Sequence, residues 1–287
     1  MRILVTGAKG ALGTDLCRIA GKGHTLTATD TDNLDVRDCK AILEAATGSR
    51  PDLIIHLAAL TDVDRCEREP AEAFRTNTIG TQNVTLACQE LGIPMVYLST
   101  LSVFDGTKPE PYTEFDTPNP QSQYSRSKYH GERMVQSLLH KYYIVRAGWM
   151  FGGAEKDRKF VGQMFRLAQS RPELRVVDDK FGSPTYTLDL AHGLLALVAT
   201  GRYGVYHMVN TGQPASRYEV AQAIVEYAGI TGCVLKPVSS AEFPLAAPRP
   251  RMEAGLNFAA ELIGLPPLRP WRAALEEYVL TTLLENK

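Results

Sequence analysis

Short runs of β-branched and aliphatic residues alternate along this chain with longer stretches whose apolar positions recur every three to four residues. That alternation is the rhythm of βαβ units, in which strands buried on both faces read as nearly continuous apolar runs. The pattern predicts strands at Arg2–Thr6, Thr25–Thr29, Leu53–His56, Met95–Ser99, Tyr143–Arg146 and Val205–Val209. Between them it predicts helices at Leu12–Ile19, Cys39–Ala46, Pro70–Leu91, Tyr124–Lys141 and Leu188–Ala199. In the Pro70–Leu91 stretch, Ala71, Phe74, Asn77, Thr81, Val84 and Cys88 keep helical spacing, and Gly92 and Pro94 close it. The expected fold is α/β, a doubly wound parallel sheet with helices on both faces. After Arg146 the rhythm changes. Gly148, Gly152 and Gly153 lead into a basic, polar stretch, Lys156–Lys159, and one clear helix, Tyr218–Tyr227, precedes a Pro-rich segment from Pro237 to Pro270. Such composition suits a smaller, irregular lobe packed over the end of a sheet.

Composition excludes more than it identifies. The 287 residues are 44% hydrophobic and 22% charged, ordinary values for a chain that builds a core without disulfides or metal. The formal net charge is -1 with no long run of one sign, which argues against a nucleic-acid groove. Small anions stay compatible, because a local pocket can be positive on a neutral protein. Cys17, Cys39, Cys66, Cys88 and Cys233 are odd in number and include no CxxC pair, so neither a disulfide framework nor a thiolate zinc site is expected. The reducing cytoplasm fits. The opening MRILVTGAKG has too short an apolar run for a signal peptide, and no stretch reaches bilayer length. No group of His and carboxylates has metal-ligand spacing, so no metal is expected.

The strand Arg2–Thr6 runs directly into Gly7-Ala8-Lys9-Gly10-Ala11-Leu12-Gly13. In such a GxxGxxG turn the first glycine permits the bend and the second lets backbone approach a pyrophosphate. The third allows helix and strand to pack closely, while the helix N-terminus offers its N–H groups to the anion. Asp30 ends the next predicted strand, 23 residues after Gly7, where a carboxylate grips the ribose hydroxyls of an adenosine. A carboxylate there repels a 2′-phosphate and slightly favours NADH, whereas Lys9 offsets that repulsion and keeps NADPH open. Two readings of Asp35 stand together, an approach to the adenine and a helix cap. The fold is then of the Rossmann type. An NAD(P)-binding domain is expected over 1–146, completed by about 181–211, with a C-terminal substrate-binding lobe from 147–180 and 212–287.

Tyr124 and Lys128 open a predicted helix four residues apart, so the phenol and the ammonium share one face. An ammonium beside a phenol favours phenolate and is expected to lower the tyrosine pKa towards neutrality. Such a tyrosine donates a proton to a developing alkoxide. Ser99-Thr100 ends the fourth predicted strand, where open α/β sheets hold their ligands, and a hydroxyl there can bond the same substrate oxygen. The trio Thr100, Tyr124 and Lys128 is the expected catalytic set.

Glycine turn, Asp30, Ser99-Thr100 and Tyr124/Lys128 stand in the order of a short-chain dehydrogenase/reductase. The chain resembles the extended branch of that superfamily and, most closely, the dTDP-4-dehydrorhamnose reductase family. The likeness includes His56-Leu57-Ala58-Ala59-Leu60-Thr61-Asp62-Val63-Asp64, Asn77, Val103-Phe104-Asp105-Gly106 and Gly131-Glu132. It continues through Arg146-Ala147-Gly148-Trp149, Asp179-Lys180-Phe181-Gly182-Ser183-Pro184-Thr185 and Arg249-Pro250. What it implies is hydride transfer from a nicotinamide to the 4-keto carbon of a nucleotide-linked 6-deoxy sugar. Thr100 would polarise the keto oxygen, Tyr124 protonate it and Lys128 orient the nicotinamide ribose. Besides the glycine turn (Gly7, Lys9, Gly10, Ala11, Leu12, Gly13), Asp30 and Asp35, it implies cofactor contacts from Val36, Leu57, Ala58, Ala59, Thr61, Asn77 and Ser99. For the substrate it implies Ser102, Val103, Phe104, Trp149 against the sugar, and Arg249 at the diphosphate or as a structural arginine. His56 is expected as a strand-end residue beside the cofactor, with no chemistry of its own.

The chain also departs from the family pattern. Leu101-Ser102 stands where Asp-Tyr is usual, Lys180 where Gln is usual, and Glu253 lies where a serine is expected. These positions concern the sugar, not the transfer of hydride or proton. Rival readings are another sugar-nucleotide reductase or 4-epimerase of the superfamily, and a non-catalytic subunit similar to the methionine adenosyltransferase regulatory subunit. The intact trio speaks against the last. Base rates favour a homodimer, with Pro70–Leu91 and Tyr124–Lys141 as contact surfaces.

Overall fold

Apart from the edge strand Thr25–Thr29, the strands that begin the βαβ units are too apolar to face water on either side, and this shapes the architecture of the computed structural model, which describes residues 1–285. The first half runs β1 (Arg2–Thr6), α1 (Ala11–Ala20), β2 (Thr25–Thr29), α2 (Cys39–Ser49), β3 (Leu53–His56), α3 (Val63–Arg68), α4 (Pro70–Phe74), α5 (Gly80–Leu91), β4 (Met95–Thr100), α6 (Gln123–Leu138) and β5 (Tyr142–Ala147). The second half runs β6 (Trp149–Phe151), α7 (Phe160–Ser170), β7 (Glu173–Val177), β8 (Phe181–Gly182), β9 (Pro184–Tyr186), α8 (Thr187–Thr200), β10 (Gly204–His207), β11 (Ala215–Ser216), α9 (Arg217–Tyr227), β12 (Val234–Val238), β13 (Met252–Glu253), α10 (Phe258–Leu262) and α11 (Trp271–Tyr278).

Six strands form one parallel sheet in the order β2-β1-β3-β4-β5-β10. The order reverses between β1 and β3, so the loops leaving their carboxyl ends diverge and open a crevice. Period-two alternation divides the strand side chains between two cores. Ile3, Val5, Leu53, Ile55, Val96 and Val145 pack against α1 and α8. Leu4, Ile54, Met95, Tyr97 and Ile144 pack on the opposite face against α2, α5 and α6. A third core, built around Phe151, Phe165, Tyr186, Ile224, Trp271, Leu275 and Tyr278, holds the later elements together. No helix among the described residues is long and apolar enough to cross a membrane.

Several elements differ from the sequence expectation. The Pro70–Leu91 helix contains a π turn at Arg75–Ile79. Its extra residue turns Asn77 and Thr78 into the interior, where they bond the Ser127 hydroxyl at 2.9 Å and the Ser127 carbonyl at 2.8 Å. The sixth strand stops at His207, because Val209 exchanges its backbone bonds with the Asn257 amide instead of a neighbouring strand. Residues 181–186, expected with the main sheet, form small pairings instead: β8 with β11 and β13, and β9 with β6. The helix Phe160–Ser170, directly after the basic stretch, was not expected at all. Its apolar face, Val161 and Phe165, is buried only because α9 and α11 lie against it.

Gly131 is where α6 meets β4. A Cβ there would sit 2.3 Å from the Tyr97 hydroxyl and 2.9 Å from the Asn77 carbonyl oxygen. Gly131→Ala is expected to lower stability by about 1–3 kcal/mol, the usual cost of overpacking, read as a lower midpoint in denaturant melts.

Candidate active site

The glycine turn owes its shape to contacts no side chain would tolerate. Gly7 has φ 73 and a Cβ there would lie 2.6 Å from the Ala58 nitrogen. At Gly13 a Cβ would lie 2.4 Å from the Gly7 carbonyl oxygen, so helix and strand meet backbone to backbone. The cap of α1 is Gly10, which supplies no side-chain bond, and the first-turn N–H groups are left to the crevice. Asp30 joins the two loops: its carboxylate accepts from the Lys9 N–H at 2.8 Å and the Thr31 N–H at 2.8 Å. The Lys9 ammonium pairs with Asp32, and Arg37 pairs with Asp35 and Glu72. Asp35 is therefore no helix cap; Asp38 caps α2 by accepting from the Ala41 N–H.

Two cavities follow from this frame. The first, about 500 Å³, runs along Gly7, Lys9, Gly10, Ala11, Leu12 and Gly13, past Asp30, Asp35, Val36, Leu57, Ala58, Ala59 and Thr61, to Ser99, Tyr124 and Lys128. The second, about 420 Å³, is lined by Thr100, Ser102, Tyr124, Trp149, Lys159, Arg217, Arg249 and Glu253. Both are of the size that takes small molecules. Tyr124, Thr61, Met150 and Lys159 belong to both walls, so the phenol stands at the junction.

Three residues expected in contact with ligand lie elsewhere. Asn77 is fully buried; its amide accepts from the Leu60 N–H at 2.8 Å and donates to the Leu60 carbonyl at 3.1 Å, bracing the segment after β3 from behind. Val103 and Phe104 are sealed in a small core with Tyr112, Val209 and Met252. Conversely, Arg217, Lys159 and Glu253 carry charge into the second cavity without having been assigned contacts. The Arg217 guanidinium lies 3.6 Å from the Trp149 ring centroid and 4.8 Å from that of Phe160. A signal for it existed: Ser216 and Glu219 form a capping box, which fixes Arg217 at the first position of a helix. Glu253 accepts from the Trp149 indole N–H at 3.0 Å and from the Ser102 hydroxyl. Arg249 is held by Asp64 at 2.8 Å and still faces the cavity.

The electrostatics overturn one expectation. Burial pushes the Tyr124 phenol up, against a smaller downward pull from the Thr100 hydroxyl. Burial also lowers the Lys128 ammonium to about 7, against the opposing pull of Glu132. The tyrosine is thus not drawn towards neutrality, because its desolvation outweighs the hydrogen bond from Thr100 that favours the phenolate. Beneath them, the Glu132 carboxylate takes Arg146 at 2.7 Å and the Ser99 hydroxyl at 2.5 Å, fully inside the protein. His56 does not line either cavity. It is buried between Thr6 at 2.7 Å and Thr81 at 3.1 Å. Since Thr81 donates to the Asn77 carbonyl, the geometry assigns a neutral ring that donates from Nε2 and accepts at Nδ1. Among the described residues no group of His, Cys, Asp and Glu could hold a metal ion.

Residues 1–283 match the family described as the RmlD substrate binding domain. The dTDP-4-dehydrorhamnose reductase of Mycobacterium tuberculosis (strain ATCC 25618 / H37Rv) is 40% identical over 281 residues, covering 96% of this chain and 91% of that protein. The crystal structure of a dTDP-4-dehydrorhamnose reductase from Clostridium acetobutylicum superposes with TM-score 0.95 at 37% identity, covering 99% of this chain and 100% of that one. That of the Bacillus anthracis enzyme in complex with NADP gives TM-score 0.94 at 38% identity, covering 98% and 99%.

The buried imidazoles give a pH dependence. Burial holds His56 and His207 at about 3, below the ordinary 6.5. Below 6.5 the unfolded chain therefore binds protons that the native state does not, and stability falls as pH drops from 6.5 towards 3. Thermal midpoints recorded across that window should decline, and less steeply in His207→Gln; a flat profile would contradict neutral buried rings.

Proposed function

From the chain's membership of the dTDP-4-dehydrorhamnose reductase family, we propose that it reduces the 4-keto group of dTDP-4-dehydrorhamnose to give dTDP-L-rhamnose. The protein is a nicotinamide-dependent oxidoreductase of sugar nucleotides. The observation that carries the finer reading is the phenol of Tyr124 standing in the wall common to both cavities, with Thr100 facing it in one and Lys128 one helical turn away in the other.

The crevice suits a dinucleotide. The space kept clear at Gly7 and Gly13 is space a Cβ would fill, and the uncapped start of α1 presents N–H groups to a pyrophosphate. When bound there, the nicotinamide supplies the hydride that becomes the C4–H bond of the product. Thr100 then donates a hydrogen bond to the keto oxygen, and Tyr124 transfers its hydroxyl proton to that oxygen as it gains the electron pair of the broken C=O π bond. A phenol pushed up by burial is the protonated form at neutral pH, the form an acid must start from. Lys128 holds the ribose near the nicotinamide and stabilises the phenolate that Tyr124 leaves behind. Asp30 would hold the adenosine ribose hydroxyls. With Lys9 committed to Asp32 and Arg37 to Asp35 and Glu72, we read the site as favouring NADH over NADPH.

In the substrate cavity, Trp149 presents its ring to the sugar, and Lys159 and Arg217 supply positive charge for the diphosphate, with Arg249 behind them. The Ser102–Glu253 contact supports a second reading, a keto sugar with a different pattern of ring substituents. An epimerase, by contrast, must retain its cofactor through the cycle, so loss of the dinucleotide on dilution would exclude it.

Purified protein is expected to oxidise NADH with dTDP-4-keto-6-deoxy-L-mannose, and NADPH more slowly. Turnover only with other nucleotide-linked keto sugars would move the assignment to the second reading, and no oxidation with any of them would leave a binding role. Tyr124→Phe should retain fold and dinucleotide affinity while turnover falls by roughly 10²–10⁴-fold; near-normal turnover would remove the phenol from the chemistry.

A further inference from the structure

We propose that Tyr97, a residue outside both cavities, is a positioning residue that aims the Lys128 ammonium with the face of its ring. The inference rests on the reading that Lys128 serves the active site. Lys128 is 3% exposed, and its Nζ lies 4.1 Å from the Tyr97 ring centroid, well within reach of a cation–π attraction. Among the described residues its ammonium forms no ion pair. Glu132, one turn further along α6, is already taken by Arg146 and Ser99.

Tyr97 itself is fixed on every side. Its hydroxyl donates to the Lys128 carbonyl oxygen at 3.1 Å, so one residue touches both ends of the lysine. Its ring stacks on His56 with centroids 5.7 Å apart and planes 20° apart. Gly131 leaves the room its hydroxyl occupies. The charged and titratable groups around the lysine are few. Tyr124 and Glu132 come from its own helix, Arg146 from β5, His56 from β3 and Tyr97 from β4, while Cys66 of α3 and Glu253 of β13 act on the Tyr124 phenol and Glu67 of α3 accepts from the Gln123 N–H at the helix start. The π turn and α5 contribute only the neutral Asn77, Thr78 and Thr81.

The chemistry explains why a ring serves here better than a carboxylate. The negative face of an aromatic quadrupole attracts an ammonium without accepting a hydrogen bond in the ordinary sense, so the N–H donors stay available to ribose hydroxyls. A carboxylate in the same place would engage those donors and set a second negative charge below the developing alkoxide. Burial has already brought the ammonium to about 7, so its charge at neutral pH depends on whatever attraction remains.

A fluorination series tests this because it weakens the negative face of the ring stepwise with only small changes in ring size. Tyr97 is replaced by phenylalanine and then by mono-, tri- and pentafluorinated phenylalanine, and Lys128 is titrated by NMR in the cofactor-free protein. Tyr97→Phe should leave the Lys128 midpoint nearly in place. Along the fluorinated series the midpoint should fall stepwise by about one pH unit in all, a tenfold change in proton affinity. NADH affinity measured slightly above neutral pH should weaken in parallel. A midpoint that ignores fluorination overturns the proposal, as does a full shift from loss of the hydroxyl alone. A midpoint that follows fluorination while NADH affinity stays constant upholds the ring–lysine contact and instead removes Lys128 from the ribose.

Discussion

One buried ion pair ties together the elements that carry the proposed catalytic trio. Glu132 of α6 and Arg146 of β5 meet at 2.7 Å with side chains 0% and 5% exposed. The same carboxylate takes the Ser99 hydroxyl from β4. α6 carries Tyr124 and Lys128, and β4 ends in Thr100, so this three-way junction fixes the distance between the Tyr124 phenol and the strand-end hydroxyl. Such a pair contributes little net stability over apolar packing, yet losing one partner strands a charge and costs about 3–5 kcal/mol. Its value here is geometric. Asn77 and Thr78, turned inward by the π turn, hold α6 from the other side through Ser127.

Above that junction, desolvation governs the chemistry. The walls that position the phenol and the ammonium also remove water from them, and both are pushed towards their uncharged forms. For the proposed reduction this is the right starting condition, since in that reading the tyrosine holds its proton until an alkoxide forms to take it. The lysine keeps its charge by a narrower margin, which makes its surroundings more consequential than its position in the sequence suggests.

Much of this was readable from the chain alone. The alternation of short apolar or β-branched runs with longer 3.6-period stretches located all six strands of the main sheet, because each strand stands as a short run between amphipathic segments. The glycine turn and the Tyr124/Lys128 spacing were legible for a related reason: backbone contact and shared helical face are local properties. What escaped was set by distant residues. The helix Phe160–Ser170 exists because α9 and α11 cover it. Asn77, Val103 and Phe104 lie near the right loops but point into the interior, a matter of one π turn and one small core. The fate of the Tyr124 phenol escaped for the same reason: the spacing to Lys128 is local, while the burial that outweighs it is not.

The contact between Glu253 and its two donors, Ser102 and Trp149, has a consequence for how the molecule comes into being. The crevice along the glycine turn draws its walls from the first 128 residues, apart from Met150 and Lys159. The neighbouring cavity needs Arg217, Arg249 and Glu253, from the far end of the chain. A polypeptide emerging from the ribosome therefore presents most of the residues that line the first cavity long before the last of those that line the second. Lys128 of the first lining and Glu253 of the second are separated in the time of synthesis by more than a hundred residues, and that carboxylate is the last of the second cavity's lining to arrive.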